Sequence, residues 1–188
     1  MTAAYRPSAR DRFRGWVRRR LLEQLRAVVA PAGTRLLDLG GGTGAATVVF
    51  GDGARELVVL EPNPRRIAQG RRANAPVSFV QSVAESIPYG ESQFDRVVSL
   101  MSFHHFSQPE AVLREARRVL VPGGRLIVFD FDPEPSSRHW LIWLVGSVHR
   151  HTFRFSTPAE LERLSLSVGF RTARSAPFGP GAFVVAER

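Results

Sequence analysis

Residues 35–44 read Arg35-Leu36-Leu37-Asp38-Leu39-Gly40-Gly41-Gly42-Thr43-Gly44. The first half of this stretch is a short, mostly apolar run that predicts a buried β-strand, and the second half is a glycine-rich turn. In sheets of parallel strands, ligands bind beyond the carboxyl ends of the strands, and glycines let the backbone approach them closely. We therefore predict that this turn holds an adenosine-containing cofactor and that the protein is an enzyme.

Strand-like and helix-like patterns alternate along the rest of the chain. Strands are predicted at residues 34–39, 56–60, 77–83, 94–101, 125–131, 170–174 and 182–186. Helices are predicted at residues 11–30, 44–50, 109–121, 140–150 and 158–168, with one more beginning near Pro64. This alternation predicts an α/β fold, a three-layer sandwich in which helices cover both faces of a mostly parallel sheet. The short turn between the last two strands predicts that they are antiparallel.

The length of 188 residues suits one compact domain, and no internal repeat or long linker divides the chain. We therefore predict a single domain over residues 1–188 that begins with a helical segment, 1–30. The segment 132–156 interrupts the alternation with an irregular stretch rich in proline and serine. We predict that this insertion covers the substrate cleft.

The chain carries 26 basic residues against 17 acidic ones, and every basic residue is arginine. This excess fits either phosphate contacts or a coding bias that favours arginine on the surface. The sequence has no cysteine, which excludes disulfides, thiolate zinc sites and cysteine nucleophiles. We predict no metal site.

The N-terminal residues are arginine-rich and lack the apolar run of a signal peptide. The longest strongly apolar stretch, 140–148, is far shorter than the roughly 20 residues that a membrane-spanning helix requires. These features predict a cytoplasmic protein without a transmembrane segment.

The glycine spacing alone fits two cofactors. Gly40, Gly42 and Ala45 satisfy the dinucleotide fingerprint, and an acidic residue, Glu61, lies about 20 residues further on. Asp38 distinguishes the two cofactors, because a carboxylate just before the first glycine would repel a pyrophosphate but attract an ammonium group. We therefore favour S-adenosylmethionine over NAD. A phosphate-binding P-loop is excluded because the sequence has no lysine.

Five motifs that occur in order resemble those of class I S-adenosylmethionine-dependent methyltransferases, in particular the small-molecule group of methyltransferase type 11. They are Asp38–Gly44, Glu61, Ala84-Glu85-Ser86-Ile87-Pro88, Phe94-Asp95 and Pro122-Gly123-Gly124. The resemblance covers about Leu36 to Asp130. It implies a Rossmann-like sheet of seven strands with an antiparallel last strand, and S-adenosylhomocysteine as the product.

The resemblance also implies roles for individual residues. Asp38 and the turn would hold the methionine part of the cofactor, and Glu61 would accept hydrogen bonds from the ribose hydroxyls. The other cofactor-binding residues that it implies are Gly40, Gly41, Gly42 and Gly44 in the turn, Pro62, Val83 and Ala84 near adenine, and Leu100 and Met101 near the methyl group.

Val83 departs from the family pattern. An acidic residue commonly stands at this position and accepts a hydrogen bond from the adenine amino group. Loss of that hydrogen bond typically costs about 0.5–1.5 kcal/mol. We therefore expect weaker binding of adenine, without loss of the cofactor site.

Methyl transfer is a direct displacement, so the protein must chiefly align the acceptor with the methyl group. A base is needed only when the acceptor loses a proton. His104 and His105 follow the fourth strand, near the expected transfer site, and we favour His105 as the base. A structural role for His105, packed over the cofactor, is equally compatible with the sequence.

Aromatic and basic residues in and near the insertion predict an aromatic or anionic small-molecule acceptor. The candidate acceptor-binding residues are His104, Trp140, Trp143 and His149. The same residues are also compatible with an ordinary helix packed on the sheet. Two further hypotheses stay open: an RNA or protein methyltransferase that uses its arginine pairs as a phosphate track, and a protein that binds the cofactor without transferring a methyl group.

Overall fold

The computed structural model describes residues 20–73, 75–132, 156–179 and 181–188. The helices are α1 (20–29), α2 (Ala45–Phe50), α3 (Pro64–Arg72), α4 (Pro109–Val119) and α5 (Pro158–Ser167), with a 3-10 turn at Phe103–His105. The strands are β1 (Arg35–Leu39), β2 (Glu56–Leu60), β3 (Ser78–Val80), β4 (Phe94–Leu100), β5 (Leu120–Phe131), β6 (Thr172–Phe178) and β7 (Gly181–Glu187). The predicted helix at 140–150 and residues 11–19 of the first predicted helix lie outside the described residues.

All seven strands form one sheet with the order β3-β2-β1-β4-β5-β7-β6. The first five neighbours in this order are parallel, and β7 is antiparallel to both β5 and β6. The chain adds β2 and β3 on one side of β1 and then β4 and β5 on the other side. The carboxyl ends of β1, β2 and β4 therefore meet at the switch point, where ligands bind in such folds. The α/β class and the mostly parallel sheet with one antiparallel strand are confirmed.

Alternate residues of the central strands face two separate apolar layers. Leu36 and Val98 are fully buried on the side of α1 and α2. Leu37 and Val97 are fully buried on the other side, with α4 and α5. Because successive residues of a strand point to opposite faces, a sheet covered on both sides needs unbroken apolar strands, as the sequence pattern indicated.

Three predicted boundaries are wrong. Strand β3 contains only residues 78–80, rather than 77–83, and α4 ends at Val119, two residues early. Strand β5 instead begins at Leu120 and includes the Pro122-Gly123-Gly124 turn. The longer β5 results from contacts with a distant part of the chain. The amide of Gly123 donates to the carbonyl of Arg188 at 3.0 Å, and the amide of Arg188 donates to the carbonyl of Gly124 at 3.0 Å.

Strand β6 occupies residues 172–178 and not 170–174. It pairs with β7 along its whole length, from Thr172 opposite Glu187 to Phe178 opposite Gly181. Pro177 is tolerated within it because β6 is an edge strand of the sheet, where a missing N–H breaks no ladder.

Among the described helices, none is long and apolar enough to span a membrane.

Helix α5 begins with a capping box. The Thr157 hydroxyl accepts from the amide of Glu160 at 3.2 Å, and the Glu160 carboxylate accepts from the amide of Thr157 at 2.8 Å. We expect Thr157→Ala to lower the free energy of unfolding by about 1 kcal/mol, because one amide of the first turn loses its partner. Urea denaturation measures this change, with Thr157→Ser, which keeps the hydroxyl, as the control. An unchanged midpoint in Thr157→Ala would contradict the prediction.

Candidate active site

The glycine-rich turn lies at the carboxyl end of β1, next to the ends of β2 and β4. Gly40, Gly42 and Gly44 have φ angles of +71°, +60° and +75°, which favour glycine. A side chain at Gly40 would lie 2.9 Å from Cβ of Ser102, so the turn is packed against the segment that follows β4. The turn therefore requires glycine for both conformation and space.

Asp38 lies beneath this turn, with 2% of its surface exposed. One carboxylate oxygen, Oδ2, accepts from the Thr47 hydroxyl at 2.5 Å. The other oxygen, Oδ1, is buried without a hydrogen-bond partner among the described residues. Burial raises the pKa of Asp38 to about 7, the hydrogen bond from Thr47 lowers it and the nearby Glu61 raises it.

Glu61 follows β2 directly and is also buried, with 4% of its surface exposed. Its Oε2 atom accepts from the amide of Gly42 at 3.0 Å, and its Oε1 atom accepts from the amide of Asn63 at 2.9 Å. Each carboxylate oxygen can accept more than one hydrogen bond, so Glu61 keeps acceptor capacity toward a ligand. The carboxylate joins the glycine turn to the loop before α3.

The backbone has an uncommon conformation directly after the carboxyl end of β4. Met101 has a φ angle of +54°, which is uncommon for a residue other than glycine and is held by a 2.8 Å hydrogen bond from its amide to the carbonyl of Phe129. The Ser102 hydroxyl then donates to the carbonyls of Gly40 and Leu100, at 3.1 and 3.0 Å. Strained backbone of this kind is concentrated at functional sites.

His104 is held by Asp130, the penultimate residue of β5. Its Nδ1 atom lies 2.8 and 2.9 Å from the two carboxylate oxygens of Asp130, and its amide donates to the same carboxylate at 3.0 Å. The Asp130 carboxylate also accepts from the amide of Phe131 at 2.8 Å. Only 9% of the His104 side chain is exposed.

His105 is exposed and lies beside His104, with the ring centroids 4.1 Å apart. Partial burial is the largest cause that lowers the pKa of His105. The neighbouring His104 and Arg66 lower it further, whereas Asp130 opposes the shift. These surroundings therefore favour the neutral form of the His105 imidazole.

The predicted adenine-binding residues follow β2 and β3. Pro62 is exposed, Ala84 is buried and Val83 is half-exposed, at 48%. The amide of Glu61 donates to the carbonyl of Val80 at 3.0 Å, which brings these two loops together. Pro62, Val83 and Ala84 thus lie in the loops that follow the neighbouring strands β2 and β3, and their contacts with adenine stay a prediction.

Trp140, Trp143 and His149 lie outside the described residues, as does the insertion apart from residues 132 and 156.

In the part of the chain that is described, no group of three or more His, Asp or Glu side chains is arranged to hold a metal ion.

The sequence analysis did not identify three residues of the site. They are Thr47 on Asp38, Asp130 on His104, and Arg66, whose guanidinium would lie 3.6 Å from a side chain placed at Gly42. The position of Asp130 at the end of a predicted strand next to β4 was a usable signal. The other two positions depend on how the helices pack and carry no such signal.

The glycine turn, the two buried carboxylates and the strand order together match a known domain family. The family described as "Methyltransferase domain" matches residues 37–128. Within this range the chain has the sequence of a methyltransferase domain. The matched range begins in β1 and ends in β5, so it contains the glycine turn, Glu61 and both histidines of the 3-10 turn.

Individual methyltransferases resemble the chain to different extents. It is 31% identical over 106 residues to demethylmenaquinone methyltransferase from Renibacterium salmoninarum, covering 56% of this chain and 45% of that protein. An uncharacterized methyltransferase from Synechocystis sp. is 28% identical over 160 residues, with 81% of this chain and 74% of that protein covered. The chain spans about half the length of the demethylmenaquinone methyltransferases that it matches.

A solved structure has a similar fold. The crystal structure of a possible histamine N-methyltransferase from Thermotoga maritima is 24% identical in sequence and has a TM-score of 0.73. The similarity covers 94% of each chain. At this identity the likeness concerns the fold alone.

Proposed function

We propose that the protein binds S-adenosylmethionine at the glycine turn and transfers its methyl group to a small-molecule acceptor. The observation that carries this proposal is the buried carboxylate of Asp38, whose Oδ1 atom has no hydrogen-bond partner among the described residues. A buried acceptor of this kind costs free energy unless a donor satisfies it. An ammonium group supplies a charge-assisted donor, whereas a pyrophosphate supplies none.

The residues that would hold the cofactor are those of the turn, Asp38 and Glu61. Asp38 supplies the acceptor for the ammonium group, and Glu61 supplies two oxygens at the end of β2, where the ribose hydroxyls bind in Rossmann-like folds. When bound, the cofactor supplies an electrophilic methyl group. The protein aligns the acceptor beside it, and the ends of β4 and β5 provide the groups nearest to that position.

For the acceptor, we propose a hydroxylated aromatic ring, such as a quinol. Several relatives, each matched over 56–59% of this chain, are named demethylmenaquinone methyltransferase. The two histidines at the end of β4 are suited to an acceptor that carries an acidic hydroxyl group. The proposal leaves open which atom of the ring receives the methyl group.

The arginine pair Arg117-Arg118 gives little support to RNA as the acceptor. Arg117 donates to the carbonyl of Gly169 at 2.7 Å. Arg118 donates to Glu115 and to the carbonyls of Tyr89 and Ile87. Guanidinium groups that already bind the protein's own acceptors are poorly placed to follow a phosphate backbone. Strong, salt-dependent retention of the protein on tRNA or rRNA would favour RNA instead.

Titration calorimetry with S-adenosylmethionine, S-adenosylhomocysteine and NAD tests the cofactor. We expect both adenosyl ligands to bind and NAD to produce no heat of binding. Incubation with methyl-labelled cofactor and reduced demethylmenaquinone, with an RNA fraction in parallel, then tests transfer. Binding of NAD alone would overturn the proposal, and binding without label transfer to any fraction would favour a cofactor-binding protein that transfers no methyl group.

Val83→Asp tests the proposed adenine position. We expect this substitution to tighten the binding of S-adenosylmethionine by about 2- to 10-fold, because it provides the missing acceptor for the adenine amino group. Val83 is half-exposed, so the fold should tolerate a carboxylate there. The control is Val49→Asp, at an equally exposed valine on α2. Equal affinity in Val83→Asp and the unmodified protein would remove Val83 from the adenine site.

A further inference from the structure

Arg66 lies in the first turn of α3, close to the glycine turn. Its amide donates to the carbonyl of Asn63 at 3.1 Å, and the amide of Asn63 donates to the Glu61 carboxylate at 2.9 Å. The next residue, Ile67, is buried and fixes the face of α3 that packs on the protein, whereas Arg66 is exposed. The backbone that carries Arg66 is therefore anchored to the same carboxylate that binds the glycine turn.

The Arg66 guanidinium lies beside the glycine turn. A Cβ atom placed at Gly42 would be 3.6 Å from Nη1 and 3.9 Å from Cδ of Arg66, and 4.0 Å from Oε2 of Glu61. Burial is the main cause that lowers the pKa of His105, in the 3-10 turn after β4, and the positive charge of Arg66 adds to it. The guanidinium is therefore close both to the glycine turn and to the segment that follows β4.

Arg66 forms no ion pair with a carboxylate of the described residues, although six other arginines in that part of the chain do. The six are Arg26, Arg35, Arg55, Arg114, Arg118 and Arg171. An arginine side chain carries five N–H donors in a fixed planar arrangement and accepts no hydrogen bonds. At the glycine turn, Arg66 thus presents a positive charge and a set of donors that the protein's own carboxylates do not neutralise.

The glycine turn has opposite charges next to two adjacent residues. Oδ2 of Asp38 would lie 2.5 Å from a Cβ atom at Gly41, and Nη1 of Arg66 would lie 3.6 Å from one at Gly42. The amino-acid part of the proposed cofactor carries an ammonium group and a carboxylate on a single carbon atom. Asp38 supplies an acceptor for the ammonium group, and guanidinium groups bind carboxylates through two parallel hydrogen bonds. This pair of charges therefore matches an amino acid.

We propose that the Arg66 guanidinium binds the carboxylate of the methionine part of the cofactor. This role rests on the proposed binding of S-adenosylmethionine, and it adds a residue of α3 to the cofactor site. A carboxylate on the acceptor would offer the same chemistry, but the quinol proposed as acceptor carries hydroxyl groups and no carboxylate. Asp38 and Arg66 together select a ligand that has both charges of an amino acid, which the glycine spacing alone does not.

Titration calorimetry with S-adenosylhomocysteine and its decarboxylated analogue tests this role. Both ligands keep the amino group, and both lack the sulfonium charge that a guanidinium would repel. We expect Arg66→Gln to weaken the binding of S-adenosylhomocysteine by about 10-fold, because one charge-assisted interaction is lost, and to cause no loss for the decarboxylated analogue. Arg65→Gln, at the neighbouring exposed arginine of α3, is the matched control and should change neither affinity.

Two further measurements separate a carboxylate contact from a structural role. Arg66→Lys keeps the charge but not the two parallel donors, so we expect it to lose only about 3-fold in affinity for S-adenosylhomocysteine. Arg66 is exposed, so salt should screen its interaction with a carboxylate. We therefore expect an ionic strength of about 1 M to weaken binding to the unmodified protein more than binding to Arg66→Gln.

The possible results distinguish this role from the proposed function. Unchanged affinity for S-adenosylhomocysteine in Arg66→Gln, or equal losses for both ligands, would overturn the carboxylate contact and leave the proposed function intact. A raised KM for a hydroxylated aromatic acid as acceptor, with unchanged binding of S-adenosylhomocysteine, would assign Arg66 to the acceptor instead. No binding of either adenosyl ligand by the unmodified protein would overturn the proposed function and this role with it. Thermal unfolding checks that each variant is folded.

Discussion

Asp38→Asn is expected to weaken the binding of S-adenosylmethionine by about 100-fold, equivalent to roughly 2.7 kcal/mol. The amide keeps the shape of the side chain and can still contact Thr47, but it removes the negative charge that faces the glycine turn. A charge-assisted hydrogen bond from a buried ammonium group is worth more than a neutral one, and here it is lost. Titration calorimetry at pH 8, where Asp38 of the unmodified protein is ionised, measures the effect.

The same substitution should change how stability depends on pH. The pKa of Asp38 rises from 3.8 to about 7 on folding, chiefly because of burial. The folded protein is therefore favoured below pH 4, and this advantage is lost as the pH rises to 7, because ionisation then opposes folding. We expect Asp38→Asn to abolish this loss and to be more stable than the unmodified protein at pH 8, by a few kcal/mol.

The two results together are specific to a buried charge that serves a ligand. Asp52→Asn, at an exposed carboxylate that pairs with Arg26, should alter neither the affinity nor the pH dependence. If Asp38→Asn binds the cofactor as tightly as the unmodified protein, Asp38 does not contact the ammonium group, and the main support for the proposed cofactor site is lost.

Gly41→Ala is expected to lower stability and cofactor affinity at the same time. A Cβ atom at this position would lie 2.5 Å from Oδ2 of Asp38 and 3.0 Å from the side chain of Val59. Neither atom can move away easily, since Asp38 and Val59 are buried in adjacent central strands. Overpacking of this kind typically costs about 1–3 kcal/mol, and it would displace the carboxylate that we propose binds the cofactor.

Thermal unfolding and calorimetry on one preparation measure both effects, and we expect the affinity for S-adenosylmethionine to fall by at least about 10-fold. Gly90→Ala provides the control, because its nearest neighbour would be the Gln93 amide nitrogen at 3.9 Å. Stability and affinity that are unchanged in Gly41→Ala would mean that the turn is not packed on Asp38 as the structure shows.

The order of strands and helices could be predicted because it depends on local pattern. Apolar strands that end at glycine or at an acidic residue, and a capping box at Thr157, are visible within a few residues of sequence. The same holds for Asp38 and Glu61, since each stands at the end of a strand whose position in the sheet follows from the alternation. The strand boundary near Gly123 was predicted less well because pairing with the distant Arg188 extends β5 there. The boundary near Pro177 was predicted less well because β6 pairs with β7 up to the turn between them.

Sequence by itself therefore determined the fold class, the place of the site and the two carboxylates that define it. Only the tertiary structure decided which histidine is oriented and which oxygen of Asp38 is left for a ligand. His104 and His105 are adjacent in sequence and chemically identical, and they differ only because the turn after β4 directs the first toward Asp130 on β5. Burial and hydrogen-bond partners across neighbouring strands are properties of the packed chain, so no local pattern could distinguish the two.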